Sequence, residues 1–108
     1  MSHKRRKHIR ISELPLYPNV SFLVREQKEF EVPFSLEQKP LILELGCGKG
    51  KYTVALAELE TQKNFIGIDV KGERLWVGAK EIQEKKLSNA AFVRGRVQYF
   101  CSFFPKKV

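Results

Sequence analysis

From residue 41 onward, hydrophobic and polar positions follow a repeating strand-then-helix pattern. Short apolar runs at residues 41–45, 64–70 and 89–94 have the composition of buried strands. Each run is followed by mostly apolar residues at helical spacing, three, four and seven positions apart in the first and third cases, which places them on one helix face. The pattern therefore predicts the order strand, helix, strand, helix, strand, helix.

Each predicted helix has its own apolar stripe. The stripes are Tyr52, Ala55, Leu56 and Leu59 in the first helix, Leu75, Ala79, Ile82 and Lys86 in the second, and Val97, Phe100, Cys101 and Phe104 in the third. The second helix is expected to span about residues 72–86. Pro105 is expected to end the third helix, because proline lacks the N–H group that a helix interior needs.

This alternation is typical of an α/β protein with parallel strands and right-handed crossovers. We predict a doubly wound parallel sheet of which the chain forms the first half, as three strand–helix units. The first strand is expected to be buried on both faces, as in parallel sheets generally. Half a sheet leaves an open edge and bare apolar faces, so self-association through the incomplete sheet is also expected.

The first 39 residues lack this regular pattern. Within positions 1–12 the charged residues are all basic, and they are Lys4, Arg5, Arg6, Lys7 and Arg10. We predict that this stretch is a flexible or loosely docked arm. Residues 13–39 contain three prolines and predict an irregular lead-in with a short helical turn near residues 22–30. The predicted division is an arm and lead-in, residues 1–39, and half of an α/β domain, residues 40–108.

The formal charge of the 108-residue chain is +8, and it is concentrated at the two ends. Residues 71–108 hold nine basic and three acidic side chains, whereas the middle is close to neutral. Basic ends favour a polyanionic partner such as a nucleic acid, so the five basic residues of the arm are candidate RNA-binding residues. The alternative is that these residues form a solvated tail that only keeps the surface soluble. No apolar run is long enough for a membrane span, and the two cysteines lack the spacing of a metal site, which fits a reducing cytoplasm.

Candidate chemistry is concentrated where the first predicted strand ends. Three glycines, Gly46, Gly48 and Gly50, occupy every second position there, and Glu44 precedes them. Such a turn lets the backbone approach a ligand closely, and the following helix N-terminus offers N–H groups to an anion. The third glycine comes one residue too early for the dinucleotide fingerprint GxGxxG, and the chain has no Walker A motif. The pattern ExGxGxG resembles the first motif of S-adenosylmethionine-dependent methyltransferases; a turn without a ligand is the alternative.

A second carboxylate, Asp69, ends the second predicted strand 19 residues after Gly50. A carboxylate at this place can accept hydrogen bonds from both hydroxyls of an adenosyl ribose. It could also cap the following helix, and the two roles are compatible. Glu44 is costly to bury without a partner, so we expect it to bind the cofactor's ammonium group or N–H groups of the glycine turn. Cys47 is interpreted as a packed thiol rather than a nucleophile, and Trp76 as a packing residue.

Three longer segments carry a closer resemblance. The chain resembles the N-terminal half of bacterial tRNA (guanine-N7-)-methyltransferases of the TrmB type in the segments ILELGCGKGKYTVALAE, NFIGIDVKGERLWVGAKE and LSNAAFVRGRVQYFCSFF. The resemblance runs from about Pro18 to the end and is most specific in GIDVKGERLWVGAKE. It implies a Rossmann-like fold, S-adenosylmethionine as cofactor, and methylation of guanine N7 in the variable loop of tRNA in the cytoplasm.

The resemblance also implies roles for single residues. Asp69 matches the acidic residue at the ribose, and Lys71 falls where some members have a basic side chain near the cofactor. Arg96 stands where members often have Asp or Asn beside the adenine. Because arginine cannot accept a hydrogen bond from the adenine amino group, only backbone contacts at Arg96 and Val97 are expected. The expected cofactor-binding residues are Glu44, Gly46, Gly48, Gly50, Asp69, Lys71, Arg96 and Val97.

The family's catalytic region has no match in this sequence. In the family, the next strand carries an Asp-Pro motif at the methyl-transfer site, and later segments bind tRNA. We therefore assign no catalytic residue and expect the 108-residue chain alone to be inactive. One alternative is a non-catalytic module that binds RNA or S-adenosylmethionine, and another is a nicotinamide-dependent enzyme with an irregular loop.

Overall fold

The computed structural model of this protein describes residues 2–23 and 39–100. In chain order the elements are α1 (His3–Glu13), a 3-10 turn (Leu14–Leu16), β1 (Val20–Phe22), β2 (Leu41–Leu45), α2 (Lys51–Leu59), β3 (Asn64–Asp69), α3 (Gly72–Lys85), β4 (Ala90–Arg94) and α4 (Val97–Phe100). The strands form one parallel sheet in the order β1-β4-β3-β2. The predicted α/β fold is confirmed, and the three predicted strands are β2, β3 and β4.

The central position of β3 follows from its apolar composition. Every residue from Asn64 to Ile68 is buried, as expected for a strand that is covered on both faces. Its middle residue Ile66 lies opposite Leu43 of β2 and Ala91 of β4. Because the strands are parallel, the carboxyl ends of β2, β3 and β4 lie side by side along one edge of the sheet, where ligands bind in folds of this kind.

β2 lies at the end of the strand order within the described residues and pairs with β3. Its residues Leu41 to Glu44 are half-buried, and Leu45 has 51% of its surface exposed. The prediction that this strand is buried on both faces is therefore wrong. The cause is its position, because an edge strand has a neighbour on one side only.

Helices α2 and α3 cover one face of the sheet. The buried residues on this face include Val54, Ala57, Phe65, Leu75, Ala79, Ile82 and Phe92. The predicted stripe of the second helix is confirmed at its three apolar positions, whereas Lys86 is exposed and forms the left-handed cap of α3 with φ 55°. The opposite face holds a second cluster of Leu23, Ile66, Ile68, Ala91 and Val93.

The fully buried ring of Phe92 fills space that three glycines leave open. A Cβ atom on Gly50 would lie 2.3 Å from this ring, and a Cβ atom on Gly78 or Gly67 would lie 2.6 or 2.8 Å from it. Carbon atoms do not approach one another so closely in a packed interior. The glycine turn, β3 and α3 can therefore meet around Phe92 only because these positions lack side chains.

The orientation of α2 differs from the prediction. The helix buries Thr53, Val54 and Ala57, whereas Tyr52 and Leu59 of the predicted stripe have 64% and 80% of their surfaces exposed. Two contacts with residues outside α2 determine which side of the helix is buried. Thr53 donates a hydrogen bond to a carboxylate of β2, and the backbone before the helix packs against the ring of Phe92.

The basic N-terminal stretch, expected to be a flexible or loosely docked arm, forms a helix. The side chain of Ser2 caps α1 by accepting a hydrogen bond from the N–H of Arg5 at 3.2 Å. At the other end of α1, Leu14 is fully buried in the main core. The guanidinium of Arg10 on α1 also lies over the ring of Trp76 on α3, 4.7 Å from the ring centre. A cap, a buried anchor and this cation–π contact hold residues that carry no apolar pattern of their own.

Two further expectations concern the segments around this helix. Phe22, the first residue of the expected helical turn, is the last residue of the edge strand β1, which pairs with β4, and residues 24–30 lie outside the described residues. The third predicted helix begins at Val97 as expected, but its continuation from Cys101 also lies outside them. The domain division at residue 39 stays a prediction. In residues 2–23 and 39–100, none of the helices has the length and apolar character that a membrane crossing requires.

Candidate cofactor site

The three glycines between β2 and α2 form a turn that requires glycine for two different reasons. Gly46, Gly48 and Gly50 have φ values of 73°, 58° and 71°, in the left-handed region. A Cβ atom on Gly50 would collide with Phe92, whereas a Cβ atom on Gly46 or Gly48 would meet nothing within 4 Å. The first two glycines therefore line open space, where a ligand can approach the backbone.

Backbone hydrogen bonds hold this turn against the end of β3. The N–H groups of Gly46 and Cys47 both donate to the carbonyl of Ile68, at 2.8 and 3.0 Å. The N–H of Gly50 donates to the carbonyl of Cys47 at 2.9 Å. The turn is thus fixed before any ligand binds.

Asp69 joins the glycine turn to the loop that follows β3. One carboxylate oxygen, Oδ2, accepts a hydrogen bond from the N–H of Gly48 at 2.9 Å, and Oδ1 accepts one from the N–H of Lys71 at 2.9 Å. The expectation that Asp69 caps α3 is wrong, because the N-cap residue is Lys71, which makes no side-chain cap. A carboxylate offers about four acceptor positions, so two remain for further donors.

Glu44 is held by a residue that the sequence did not single out. The hydroxyl of Thr53, which is 2% exposed, donates to Oε1 of Glu44 at 2.5 Å. Thr53 lies nine positions away in the first turn of α2, so only the folded chain brings the pair together. Glu44 faces a cavity of about 420 Å³ that is also lined by Lys49, Lys51 and Arg74.

Cys47 lies inside the turn as a protonated thiol. Burial, and to a smaller extent the negative charges of Asp69 and Glu44, together raise the pKa of the thiol to about 12. The sulfur packs against β3, where a Cβ atom on Gly67 would lie 2.8 Å from it. A thiol with this pKa is a poor nucleophile at neutral pH, in agreement with the sequence interpretation.

A cavity of about 570 Å³ lies beyond the ends of β3 and β4. It is lined by Phe22, Leu23, Val70, Arg94, Gly95, Arg96 and Tyr99. Half of the surface of Val70 is exposed there, next to Asp69. The cavity includes Arg96 of the expected site, whereas Val97 packs on the sheet in the second apolar cluster.

A third cavity, of about 610 Å³, lies between α1 and the start of α3 and is called the basic cavity below. Its ionisable lining residues are His3, Arg6, Lys7, Arg10, Lys49, Lys71, Glu73, Arg74 and Arg94. Lys71, expected at the cofactor, lines this cavity. Of the five expected RNA-binding residues, Arg6, Lys7 and Arg10 line it, whereas Lys4 and Arg5 do not.

The glycine turn and the strands around it match a known family of enzymes. A family model described as a putative methyltransferase matches residues 38–108. The chain belongs to this methyltransferase family. The match covers the glycine turn, the carboxylates of β2 and β3, and both helices that pack on the sheet.

Individual relatives give the same result and agree with the predicted resemblance. A protein of Porphyromonas gingivalis named tRNA (guanine-N(7)-)-methyltransferase is 44% identical over 91 residues, which are 77% of this chain and 37% of the relative. A protein of the same name from Christiangramia forsetii is 54% identical over 65 residues, which are 60% of this chain and 29% of the relative. The chain thus spans well under half the length of these curated relatives.

A solved structure shows the same fold. The crystal structure of a 30S ribosomal A1408 methyltransferase from an uncultured bacterium superimposes with a TM-score of 0.55 and 28% identity. The superposition covers 66% of this chain and 33% of the methyltransferase. The half-sheet of this methyltransferase family member is therefore the Rossmann-like sheet that the resemblance implied.

Among the residues of this family member that the structure describes, no group of three or more His, Cys, Asp or Glu side chains could hold a metal ion. The expected residues that come together are Glu44, Gly46, Gly48, Gly50 and Asp69, at the carboxyl ends of β2 and β3. Thr53, Val70 and Arg74 join them although sequence reasoning did not place them there. Of these three residues, only Val70 could have been predicted from the sequence, because it follows Asp69 directly.

Proposed function

We propose that the chain provides the S-adenosylmethionine-binding part of an enzyme that methylates guanine N7 in tRNA. The names of its relatives support the substrate, and the open glycine turn with Asp69 beside it carries the cofactor assignment. When bound, S-adenosylmethionine supplies an electrophilic methyl group. With tRNA as the substrate, we also propose a cytoplasmic location.

The adenosine part of the cofactor fits the end of β3. Asp69 has two acceptor positions left after binding the N–H groups of Gly48 and Lys71, one for each ribose hydroxyl. The cavity of about 570 Å³ next to it has the size of a small-molecule site, and Val70 offers an apolar surface for the flat face of adenine. Arg96 cannot accept from the adenine amino group, so the backbone of Arg96 and Val97 is assigned that contact.

The amino-acid end of the cofactor fits the cavity at Glu44. An amino acid carries an ammonium and a carboxylate, and this cavity presents one carboxylate together with Lys49, Lys51 and Arg74. Glu44 is held by Thr53 through one oxygen and is assigned the ammonium group. The basic side chains are assigned the carboxylate, since charge-assisted hydrogen bonds are the stronger kind.

The proposed reaction requires mainly that the methyl donor and the guanine base be aligned. Guanine N7 carries a free lone pair, so no general base is needed, and catalysis consists chiefly of holding the methyl donor and the base in line. The protonated thiol of Cys47 takes no part in it. In this scheme the chain orients the methyl donor along one wall of the reaction site.

We further propose self-association through β2, which has no second strand neighbour within residues 2–23 and 39–100. Leu45 on this strand and Tyr52 and Leu59 on α2 expose 51%, 64% and 80% of their surfaces. An unpaired strand edge flanked by apolar residues is a template for pairing with another strand. Sedimentation of the chain and of a Leu45→Lys variant tests this, because a charge on the edge opposes pairing; a wild-type monomer at all concentrations contradicts it.

Isothermal titration with S-adenosylhomocysteine tests the cofactor assignment. Asp69→Asn keeps the shape of the side chain but removes its charge and turns one acceptor into a donor. Loss of a charged hydrogen bond costs about 1.5–3 kcal/mol, so the affinity should fall by about ten- to a hundredfold. Glu84→Gln removes a carboxylate near the opposite end of α3 and should leave the affinity unchanged.

Three results would contradict parts of this assignment. Absence of S-adenosylhomocysteine binding to the folded wild-type chain contradicts the cofactor. Equal affinity of Asp69→Asn and the wild type contradicts the ribose contact. Tighter binding of NAD in the same titration favours the nicotinamide-dependent alternative.

A further inference from the structure

The basic residues of α1 form two sets, those that line the basic cavity and those that do not. His3, Arg6, Lys7 and Arg10 follow the spacing of one helix face and all line the basic cavity. Arg5, like its neighbour Lys4, is exposed and does not line the cavity. A stretch that acted only through its total charge would need no such arrangement. The ordered face instead indicates a site to which α1 contributes one wall.

The other walls of the basic cavity are basic as well. Lys49 comes from the glycine turn, and Lys71 and Arg74 come from the start of α3. These three residues are far from α1 in sequence, so the basic character of the cavity arises from the fold. Cations gathered in a concave site reinforce one another's field and attract an anionic partner.

Within the described ranges, residues 2–23 and 39–100, little negative charge balances this cavity. Its carboxylate, Glu73, lies 3.8 Å from the guanidinium of Arg10 and 4.0 Å from the ring of His3. Across residues 2–23 and 39–100, the ion pairs leave Arg6, Lys7 and Lys71 without a carboxylate partner, whereas Lys49 and Arg74 also border the cavity assigned to the cofactor's amino-acid end. The surplus of positive charge is therefore available to a ligand.

We propose that the basic cavity binds the ribose-phosphate backbone of an RNA strand, with α1 as a fixed wall. The cations come from four separate parts of the chain, namely α1, the glycine turn, the start of α3 and β4, so their partner must carry several negative charges in a row, as a phosphodiester chain does. Val70 and Arg94 border both this cavity and the cavity assigned to adenine, so the strand lies beside the proposed methyl donor. The identity of that RNA as tRNA rests on the proposed function.

The two sides of α1 provide a matched test. Arg6→Ala/Lys7→Ala removes two charges from the cavity wall, and Lys4→Ala/Arg5→Ala removes two charges from neighbouring positions outside it. Alanine is a strong helix former, so both double variants keep α1, which circular dichroism checks. Binding of fluorescent tRNA is measured by anisotropy from 50 to 200 mM salt for these variants and the wild type, all as the full 108-residue chain.

The cavity variant should bind about 10- to 50-fold more weakly near 0.1 M salt, and its salt slope should fall by about 0.7–0.9 for each lost phosphate contact. The outer variant should change affinity less than about threefold, because it removes no contact in the cavity. Equal losses in both variants, or no binding of tRNA to the wild type, would overturn the proposal. So would polyglutamate of matched charge that displaces tRNA equally well, since the site would then take acidic protein.

Titration with S-adenosylhomocysteine separates this proposal from the proposed function. Both double variants should bind it like the wild type, because neither changes a residue assigned to the cofactor. If S-adenosylhomocysteine binds but the two variants lose tRNA equally, the cavity proposal fails and the cofactor assignment stands. If it does not bind but only the cavity variant loses tRNA, the cofactor assignment fails and the RNA site stands.

Discussion

Gly46 and Gly50 form a natural pair for a test of the glycine turn. Their φ values, 73° and 71°, are almost the same, so an added Cβ atom strains the backbone equally at both positions. Their surroundings differ, because a Cβ atom on Gly46 meets open space whereas one on Gly50 lies 2.3 Å from the ring of Phe92. Substitution of each by alanine therefore separates backbone strain from collision.

The expected costs follow from these two contributions. Left-handed backbone costs a residue other than glycine about 1–2 kcal/mol, so Gly46→Ala should lower the free energy of unfolding by about that amount. Gly50→Ala pays the same strain and also forces an atom into a packed core, which costs about 1–3 kcal/mol more. The stiffening of the unfolded chain by alanine is the same in both variants and cancels in the comparison.

Urea unfolding followed by circular dichroism measures both free energies, and a common slope ensures that the two variants unfold between comparable states. A third variant, Gly50→Ala/Phe92→Leu, reduces the ring and should destabilise by less than the sum of its single changes. If Gly50→Ala costs no more than Gly46→Ala, the close packing of Phe92 against the turn is refuted. In a titration with S-adenosylhomocysteine the order should be reversed. Relative to the stability that each variant loses, Gly46→Ala should weaken binding more than Gly50→Ala.

Three further outcomes are expected. Thr53→Val should lower the free energy of unfolding by about 1–3 kcal/mol in urea unfolding, because it leaves the half-buried carboxylate of Glu44 without its donor; an unchanged midpoint would contradict the pair. Cys47, whose pKa is raised to about 12 in the folded chain, should react with iodoacetamide about 10³-fold more slowly at pH 9 than the thiol of an unfolded chain. Because its pKa is higher in the folded state, the stability that the thiol contributes should decline as the pH rises above about 9. Arg10→Ala should shift the emission of Trp76, the single tryptophan, to longer wavelengths by removing one of the two cations over its ring, the other being Lys80, and emission equal to the wild type would contradict the Arg10–Trp76 contact.

The elements that the sequence predicted well are those whose environment can be inferred locally. Positions 65–68 of β3 are apolar and predict a strand, and α3 has 14 residues with one continuous apolar stripe. The carboxylates at positions 44 and 69 were expected at strand ends, and parallel pairing brings those ends together. Long periodic segments and parallel order thus define the half-sheet and the position of the proposed cofactor site on it.

The failures concern elements whose position depends on distant contacts. α2 has only nine residues with apolar side chains on several sides, so its rotation is decided by Thr53 and by the packing around Phe92. α1 has no buried residue of its own and is held by Ser2 at one end and Leu14 at the other. Such contacts leave no periodic signal in the chain.

The two backbone hydrogen bonds to Asp69 have a consequence for how a cofactor would be recognised. Because N–H groups of the glycine turn and of the following loop already fix both carboxylate oxygens, the side chain has no rotational freedom left to lose. Immobilising a side chain on binding ordinarily costs about 0.5–1.5 kcal/mol, and here that cost has been met during folding. Asp69 is therefore a preorganised acceptor, and the affinity for a ribose depends on how well the turn is folded as much as on the carboxylate itself.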